Sequence, residues 1–277
     1  SKQELISRIG THITLRHLNA IRMQAETEAR LLSQEMELAG NIQSSLIPEK
    51  PELSGYEIAA CIEPADEVGG DYYDIISVAG YNWIIIGDVS GHGVPAGLVM
   101  MMVQTSIHTV LTGYPDTSPS RLLSIINKTI YENIKKMNES KYMTIVVLAG
   151  GKDGNFTFAG LHEDILIRRA DTGKVEELET GGMWVGITDD ISEVLTDDTL
   201  KLESGDCMVL FTDGITEARD KGNLFGNERL VRIIGESGDG SGSKVLSSII
   251  TELEPWDKSD DVTLVVVKRR ATQKDLR

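Results

Sequence analysis

Two short strand-like segments joined by a tight turn limit the fold of this chain more than any other feature. The segments at 71–79 and 81–90 are rich in β-branched and aromatic residues, and Ala79-Gly80 predicts a two-residue turn between them. Asp71 then begins one strand of an antiparallel hairpin and Asp88 lies near the end of the other, so both aspartates reach the same edge of a sheet. Glycines flank both residues, in "GGDYYD" and "GDVSGHG", and glycine lets a backbone approach a ligand closely. The sequence therefore predicts a pair of carboxylates at one sheet edge.

The pattern over the rest of the chain predicts strands in groups and helices in pairs. Further strands are predicted at 56–65, at 142–150 and 155–160 around the turn "GKDG", and at 163–170, 174–179, 206–212 and 261–269. Helices are predicted at 94–112, 119–137, 226–236 and 243–253. This arrangement favours an α+β fold in which two sheets pack on each other and the helices lie outside.

Two acidic turns downstream supply further carboxylates at strand ends. Asp213 in "LFTDGITEA" follows an apolar strand, and Asp260 and Asp261 in "KSDDVTLVV" precede another. Carboxylates that gather within a few ångströms repel one another unless a cation neutralises them. Oxygen ligands without Cys or His favour hard ions such as Mg²⁺ or Mn²⁺. Each aspartate taken singly is also consistent with an ordinary turn, so the metal site is a hypothesis that rests on all the positions together.

The first 47 residues have a different, helical pattern. Apolar residues recur every seven positions, with two more at intervening four-residue steps: Leu18, Ala25, Leu32, Ala39 and Leu46, then Ala29 and Met36. Arg22 and Gln43 lie in the same stripe, so two such helices would pair weakly. The pattern predicts either a coiled coil, with a homodimer formed through residues 18–47, or a single helix packed on its own domain. Pro48 and Pro51 end the helix.

The charge balance and the cysteine content argue against several classes of protein. The chain has 43 acidic and 27 basic residues, and its net charge of −16 disfavours nucleic acid as a partner because phosphate binding needs a basic face. Cys61 and Cys207 are too few for a disulfide framework, so a cytoplasmic location is expected. No membrane span is expected, because no apolar run approaches ~18 residues.

Taken together, the motifs resemble the SpoIIE/RsbU-like branch of the metal-dependent PPM (PP2C-type) protein phosphatases. They occur over residues 38–270 in the order "IQSSLIP", "PADEVGGDYYD", "IGDVSGHGVPAGL", "LFTDGITEA" and "SDDVTLVVV". The resemblance implies an αββα sandwich over 48–270, preceded by the helical linker 1–47 and followed by a tail at 271–277. It also implies a protein serine/threonine phosphatase of a bacterial signalling pathway. The expected substrate is a small phosphorylated regulatory protein, a STAS-type anti-sigma factor antagonist.

The same resemblance assigns roles to individual residues. Asp71 would bind one of two Mn²⁺ or Mg²⁺ ions and Asp88 would bridge both. The implied metal ligands and catalytic residues are Asp71, Asp88, Asp213 and Asp260, with the backbone carbonyl of Val89 as a further ligand and Asp261 as the alternative to Asp260. Two ions in such a site orient a shared water for in-line attack on phosphorus, so no phosphoenzyme is needed.

Three positions near the implied site are departures or open assignments. Asp66 lies where PP2C-type enzymes of animals carry an arginine, so phosphate binding is expected to depend mainly on the metals. His92 is either a general acid or an ordinary residue of the loop at the mouth of the site. His162 in "AGLHED" departs from the Gly-His-Asn type of loop that is common in relatives, which leaves the detail of the substrate groove open.

A weaker resemblance concerns the N-terminus. Residues 1–18, "SKQELISRIGTHITLRHL", are similar to the last helix of a response-regulator receiver domain, which implies control by an upstream sensor or receiver domain through the linker.

Three other functions are weighed against the phosphatase. The first alternative is a catalytically weak PPM-fold scaffold that binds signalling partners, and the four intact aspartates speak against it. The second is a different two-metal hydrolase, such as a nuclease or a nucleotide phosphatase. Its nucleotide-binding form is disfavoured by the negative charge and by the lack of a Gly-x4-Gly-Lys-Ser/Thr loop in the sequence. The third is a coiled-coil adaptor, which the long catalytic-looking domain disfavours.

Overall fold

Helices and strands cover most of the described part of the chain, residues 2–151 and 153–271 of a computed structural model, with backbone alone at 4–9 and 11–14. The helices are α1 (Lys2–Ser44), α2 (Val94–Gly113), α3 (Pro119–Met137), α4 (Asp213–Thr216), α5 (Asn227–Ser237) and α6 (Gly242–Leu253). The strands are β1 (Tyr56–Glu63), β2 (Tyr72–Val78), β3 (Tyr81–Val89), β4 (Met143–Gly150), β5 (Asn155–Ala159), β6 (Ile165–Arg168), β7 (Val175–Leu178), β8 (Asp198–Lys201), β9 (Cys207–Phe211), β10 (Arg219–Asp220), β11 (Asn223–Leu224) and β12 (Val262–Arg269).

The strands form two five-stranded antiparallel sheets and a short ribbon. The first sheet has the order β1-β12-β9-β6-β7, the second has the order β2-β3-β4-β5-β8, and β10 pairs with β11. The predicted hairpin is present in the second sheet, where Val78 pairs with Tyr81 across Ala79 and Gly80. Both turn residues have positive φ, 50° and 87°, as a turn that matches the twist of a hairpin requires.

Three apolar cores separate four layers of structure. One core lies between helices α2 and α3 and the second sheet, one between the two sheets, and one between the first sheet and helices α5 and α6. Strand β3 shows how the sequence specifies this: Trp83 and Ile85 face the helices, whereas Ile84 and Ile86 face the other sheet. A strand buried on both faces reads as a continuous apolar run. The predicted αββα sandwich is confirmed.

Some short elements were missed by the sequence patterns. Strand β8 pairs only with β5 at the edge of its sheet, and three of its four residues are exposed. An edge strand of this kind has no alternation of apolar residues from which it could be predicted. Strands β10 and β11 and helix α4 are shorter still. Lys152 of the predicted turn "GKDG" lies outside the described residues, as do Ser1 and residues 272–277 of the predicted tail.

Helix α1 is continuous, and from residue 15 onward its burial increases toward the C-terminal end. Residues 15–35 are exposed, Gly40 and Gln43 are buried, and Met36 and Ala39 are half-buried. The C-terminal end of the helix is therefore docked on its own domain, as the second alternative predicts, and the stripe from Leu18 to Leu32 is exposed. Pairing of two helices stays a prediction, as does the receiver resemblance at 1–18.

Helix α2 is unusually apolar. By length and composition alone, Val94–Gly113 is apolar enough to cross a membrane, a test that a core helix also passes. Its buried residues include Val99, Val103 and Ile107, which pack in the core beneath the second sheet. A helix that is apolar nearly all round is also what the core of a large domain requires.

Candidate metal centre

The register of the second sheet places two of the predicted aspartates side by side. Tyr72 pairs with Gly87, so Asp71 and Asp88 are the next opposed pair at the open end of the hairpin. On its other side, Asp88 is paired with Thr144 of β4. The prediction that Asp71 and Asp88 share one sheet edge is confirmed.

The first sheet places the remaining aspartates at the same edge. Beyond the last paired residues of β9 and β12, the Thr212 amide donates to the Thr263 carbonyl at 3.1 Å, and the Thr263 amide donates to Thr212 Oγ1 at 3.0 Å. This extra step of pairing holds Asp213, at the start of α4, beside the turn formed by Asp260 and Asp261.

Two threonines of the first sheet hold the Asp71 carboxylate of the second. Thr212 Oγ1 donates to Asp71 Oδ2 at 2.8 Å, and Thr263 Oγ1 donates to the same oxygen at 2.6 Å. Both threonines are fully buried. The other oxygen, Asp71 Oδ1, is buried and has no hydrogen-bond partner. The two bonds fix the orientation of the carboxylate and leave one lone oxygen for another ligand.

The electrostatics show that the aspartates act on one another. Burial raises the pKa of Asp88, and so do the charges of Asp71, Asp213, Asp260 and Asp261, in that order. Burial likewise raises the pKa of Asp71 against the two threonine hydrogen bonds, with smaller contributions from Asp261 and Asp213. The pKa of Asp213 is raised by burial and by Asp260. A cation would stabilise the charged forms of Asp71, Asp88 and Asp213, which these surroundings disfavour.

Asp260 and Asp261 have different surroundings although they are neighbours. Asp261 is buried, and its Oδ2 accepts from the Gly70 amide at 2.6 Å while its Oδ1 accepts from the Ala65 amide at 2.7 Å. Asp260 is half-buried and accepts only from the Asp261 amide, at 2.9 Å, among the hydrogen bonds of the described residues. The side chain of Asp261 is thus occupied by backbone amides, which favours Asp260 as the metal ligand.

The carboxylates share an edge without yet forming a closed ligand shell. Within residues 2–151 and 153–271, no group of three or more His, Cys, Asp or Glu side chains is close enough around one point to hold a metal ion as it stands. The donor set nevertheless fits a hard cation, because it consists of oxygens and includes the unpartnered Asp71 Oδ1. A Cβ atom at Gly70 would lie 2.8 Å from the Val89 carbonyl oxygen and 3.2 Å from Asp88 Oδ1, so glycine here keeps both oxygens accessible.

The two histidines near the site have different environments. His92 Nδ1 lies 2.7 Å from Asp66 Oδ2, and both side chains are exposed at the mouth. His162 Nε2 lies 3.0 Å from the Phe211 carbonyl oxygen and its Nδ1 lies 2.9 Å from Thr144 Oγ1. Burial lowers the pKa of His162 to about 4. The ring is therefore neutral at pH 7, with Nε2–H donating to the carbonyl and Nδ1 accepting from the threonine. His162 thus joins strand β4, opposite Asp88, to strand β9, which leads to Asp213.

A lysine that the sequence patterns did not reveal also reaches this region. Lys141 Nζ donates to the carbonyl oxygen of Ser90 at 2.7 Å, two residues after Asp88. It lies in the loop between α3 and β4, and only the pairing of β3 with β4 brings it to the aspartates. The sequence patterns also did not reveal Thr212 and Thr263, for which the one available signal was their position one residue before Asp213 and two residues after Asp261.

Known proteins are similar to this chain in sequence. Residues 79–270 match the family model described as Stage II sporulation protein E (SpoIIE). Phosphoserine phosphatase RsbU of Bacillus subtilis (strain 168) is 30% identical over 247 residues, covering 86% of this chain and 71% of RsbU. Protein IcfG of Synechocystis sp. is 27% identical over 271 residues, covering 85% of this chain but only 41% of IcfG.

Solved structures show the same fold. The SiaA-PP2C domain of Pseudomonas aeruginosa has a TM-score of 0.75 at 20% identity, with 87% of this chain and 98% of that chain covered. The structure of the PP2C phosphatase domain and a regulatory fragment of SpoIIE from Bacillus subtilis has a TM-score of 0.58 at 18% identity, with 79% and 64% covered.

Proposed function

Because the chain belongs to the SpoIIE family of PP2C-type protein serine/threonine phosphatases, we propose that it removes phosphate from phosphoserine or phosphothreonine of a small regulatory protein, using two Mn²⁺ or Mg²⁺ ions. The family is one of metal-dependent phosphatases in bacterial signalling. The proposed ligands and catalytic residues are Asp71, Asp88, Asp213 and Asp260, with the backbone carbonyl of Val89; Asp261 is instead assigned to holding the backbone.

The buried, unpartnered Asp71 Oδ1 beside three further aspartates is the observation that carries the proposal. If these aspartates hold a pair of ions, the ions would supply an acidified water and positive charge for the phosphoryl oxygens. The chain's own residues prepare the site for this. Thr212 and Thr263 orient Asp71 from the opposite sheet, and Gly70 leaves the Val89 carbonyl accessible.

The substrate, the partners and the control of the enzyme are the finer parts of the proposal. We assign the substrate to the STAS-type antagonists on the family resemblance. We also propose a cytoplasmic location, a homodimer through the exposed part of the predicted segment 18–47, and control by an upstream sensor or receiver domain. The exposed stripe that includes Leu18 and Leu32, 56% and 57% exposed, supports pairing through α1. The chain spans 71% of RsbU and 41% of IcfG, so these relatives have length beyond the matched region.

One observation favours a second candidate, a catalytically weak scaffold that acts by binding signalling partners. The aspartates of the described residues do not form a ready ligand shell. A scaffold would retain the fold and the apolar linker stripe without turnover.

The experiment that separates the two is hydrolysis of p-nitrophenyl phosphate and of phosphoserine, phosphothreonine and phosphotyrosine peptides, with and without Mn²⁺. The phosphatase is supported if hydrolysis of the phosphoserine and phosphothreonine peptides needs Mn²⁺, stops with EDTA and returns when the ion is added. Metal-independent turnover, or none on any substrate, overturns it. A panel of phosphorylated STAS-domain proteins, with an unrelated phosphoprotein as the control, then tests the substrate assignment.

A further inference from the structure

One buried glutamine joins the C-terminal end of α1 to the turn that precedes Asp71. Gln43 Nε2 donates to the carbonyl oxygen of Gly69 at 2.7 Å, and the Gly69 amide donates to Gln43 Oε1 at 3.1 Å. Gln43 is only 6% exposed. A primary amide carries a donor and an acceptor, so this side chain satisfies both backbone groups of one residue, as a neighbouring strand would.

The same turn is held from its other side by Asp261. Its Oδ2 accepts from the Gly70 amide at 2.6 Å and from the Asp71 amide at 3.3 Å. Gln43 and Asp261 therefore fix the backbone of three successive residues, and the last of these is the proposed ligand Asp71. Gln43 comes from the linker helix, whereas Asp261 directly precedes β12.

Close packing makes the Gln43 contact hard to replace. A Cβ atom on Gly97 of α2 would lie 3.0 Å from Gln43 Nε2, 3.2 Å from the Gly69 carbonyl oxygen and 2.2 Å from Val68 Cγ1. Only glycine at position 97 lets α2 approach the contact this closely. A cavity of about 20 Å³ is lined by Gln43, Asp71 and Asp261 among other residues. Without the two Gln43 hydrogen bonds, the turn could shift into this space.

We infer that Gln43 is a positioning residue, which acts through Gly69 to set where Asp71 presents its carboxylate. The inference rests on the proposed role of Asp71 as a metal ligand. It goes beyond that role by naming a residue outside the metal centre, at the end of the linker helix, on which metal affinity depends. Hydrogen bonds of this outer kind typically change metal affinity by about 10–100-fold.

The test is a set of substitutions at Gln43 read by metal affinity. Gln43→Met keeps the length of the side chain and removes both hydrogen bonds, whereas Gln43→Glu keeps an acceptor and removes the donor. Binding is measured on the full chain without substrate, from the electron paramagnetic resonance signal of free Mn²⁺. We expect both variants to bind Mn²⁺ about tenfold or more weakly. At saturating Mn²⁺ we expect kcat to recover, because the proposed ligands are intact. Hydrogen exchange of the Gly70 and Asp71 amides should become faster.

Gln104→Met is the matched control, because Gln104 of α2 is also buried, at 8% exposed, and bonds only to Thr105 among the hydrogen bonds of the described residues. It should change the thermal midpoint without changing Mn²⁺ affinity. Unchanged Mn²⁺ affinity in a folded Gln43 variant overturns the inference. If Gln43→Met does not fold, the Mn²⁺ affinity of Gln43→Glu decides the question.

Asp88→Asn in the same titration separates this inference from the proposed function. If Asp88→Asn loses Mn²⁺ and the Gln43 variants do not, only the role of Gln43 is overturned. If the unsubstituted chain binds no Mn²⁺, the proposed function is overturned, and hydrogen exchange of the Gly70 and Asp71 amides alone decides whether Gln43 holds the turn.

Discussion

Asp88 is the carboxylate with the least favourable surroundings for a charge. Its pKa is raised by burial first and then by four neighbouring carboxylates. The metal-free folded protein keeps a proton on Asp88 at a pH at which the unfolded chain has lost it, since an ordinary aspartic acid has a pKa of about 3.9. The folded state then binds more protons than the unfolded state, so stability falls as the pH rises above that ordinary value.

The first prediction is that Asp88→Asn abolishes Mn²⁺-dependent turnover and raises the thermal midpoint of the EDTA-treated protein. The gain should be larger near pH 8 than near pH 5, because the unsubstituted protein loses more stability over this range: its folded state keeps the Asp88 proton that its unfolded state gives up. Thermal melts of both proteins in EDTA across this range measure it. A constant difference between the two melting curves, or normal turnover by the variant, would contradict the assignment.

His162 makes the free energy of unfolding depend on pH in the opposite direction. Its pKa is lowered to about 4 by burial, whereas an unfolded histidine titrates near pH 6.5. Between these values the unfolded state binds more protons, so stability rises with pH up to about 6.5 and is lost as the pH falls toward 4.

The second prediction is that His162→Phe lowers the free energy of unfolding at pH 7 by about 1–3 kcal/mol, because Thr144 Oγ1 and the Phe211 carbonyl lose a buried partner. The variant should also lose the part of the pH dependence that lies below about 6.5. Urea unfolding at several pH values measures both effects. As the control, His92→Phe at the exposed mouth should change the free energy by less than about 0.5 kcal/mol. If His162→Phe keeps the same pH slope as the unsubstituted protein, the neutral, buried assignment is wrong.

The roles of individual residues could be predicted from the sequence only where local signals existed. Each proposed ligand follows or precedes an apolar strand next to a turn, and that pattern survives in a single sequence. Thr212, Thr263 and Gln43 act across sheets or between a helix and a turn, over sequence separations of 141, 192 and 26 residues. No periodicity links such partners, because their contact depends on how the layers pack.

Helix α1 carries the clearest prediction about an element. Its exposed stripe contains two alanines, Ala25 and Ala29, which would bury little area in a paired helix. Replacing both with leucine adds apolar surface on this face, at roughly 0.8 kcal/mol for each CH₂ group that pairing buries.

The third prediction is that Ala25→Leu combined with Ala29→Leu strengthens a homodimer by about tenfold or more in its dissociation constant. Thr27→Leu with Gln34→Leu is the matched control, since it adds leucines outside the stripe. Analytical ultracentrifugation of the three proteins measures the change, and phosphatase assays on the same samples show whether pairing alters activity. Equal strengthening by both pairs of substitutions would show that the association is not specific to the stripe.

The proposed metal centre would connect the two sheets at the molecular level. The proposed ligands come from both sheets, so an ion held among them would bind the folded protein and not the unfolded chain. A ligand of this kind stabilises by about 2.7 kcal/mol at a concentration of 100 times its dissociation constant. Burial raises the pKa of both Cys61 and Cys207 to about 11, which disfavours the reactive thiolate form at neutral pH.

The fourth prediction is that Mn²⁺ raises the thermal midpoint, that EDTA lowers it reversibly, and that iodoacetamide leaves turnover unchanged. A thiol is the weakly reactive form, and both cysteines remain protonated at neutral pH. Differential scanning fluorimetry and activity assays after each treatment measure these effects. Inactivation by iodoacetamide that disappears when both cysteines are replaced would indicate different chemistry.

The docked end of α1 uses the same face as its free stripe. Ala25 and Gln43 are eighteen residues apart, which is about five turns of a straight helix, so they point to the same side. In a parallel pair, the partner helix would therefore need the side that the phosphatase domain already occupies from Met36 onward. Two α1 helices that pair in this way could pack together as far as Leu32. Beyond that residue they would have to separate around their domains. Pairing beyond Leu32 would require each domain to give up its contact with Gln43. Pairing over the last heptad of α1 and the hydrogen bonds between Gln43 and Gly69 therefore exclude one another.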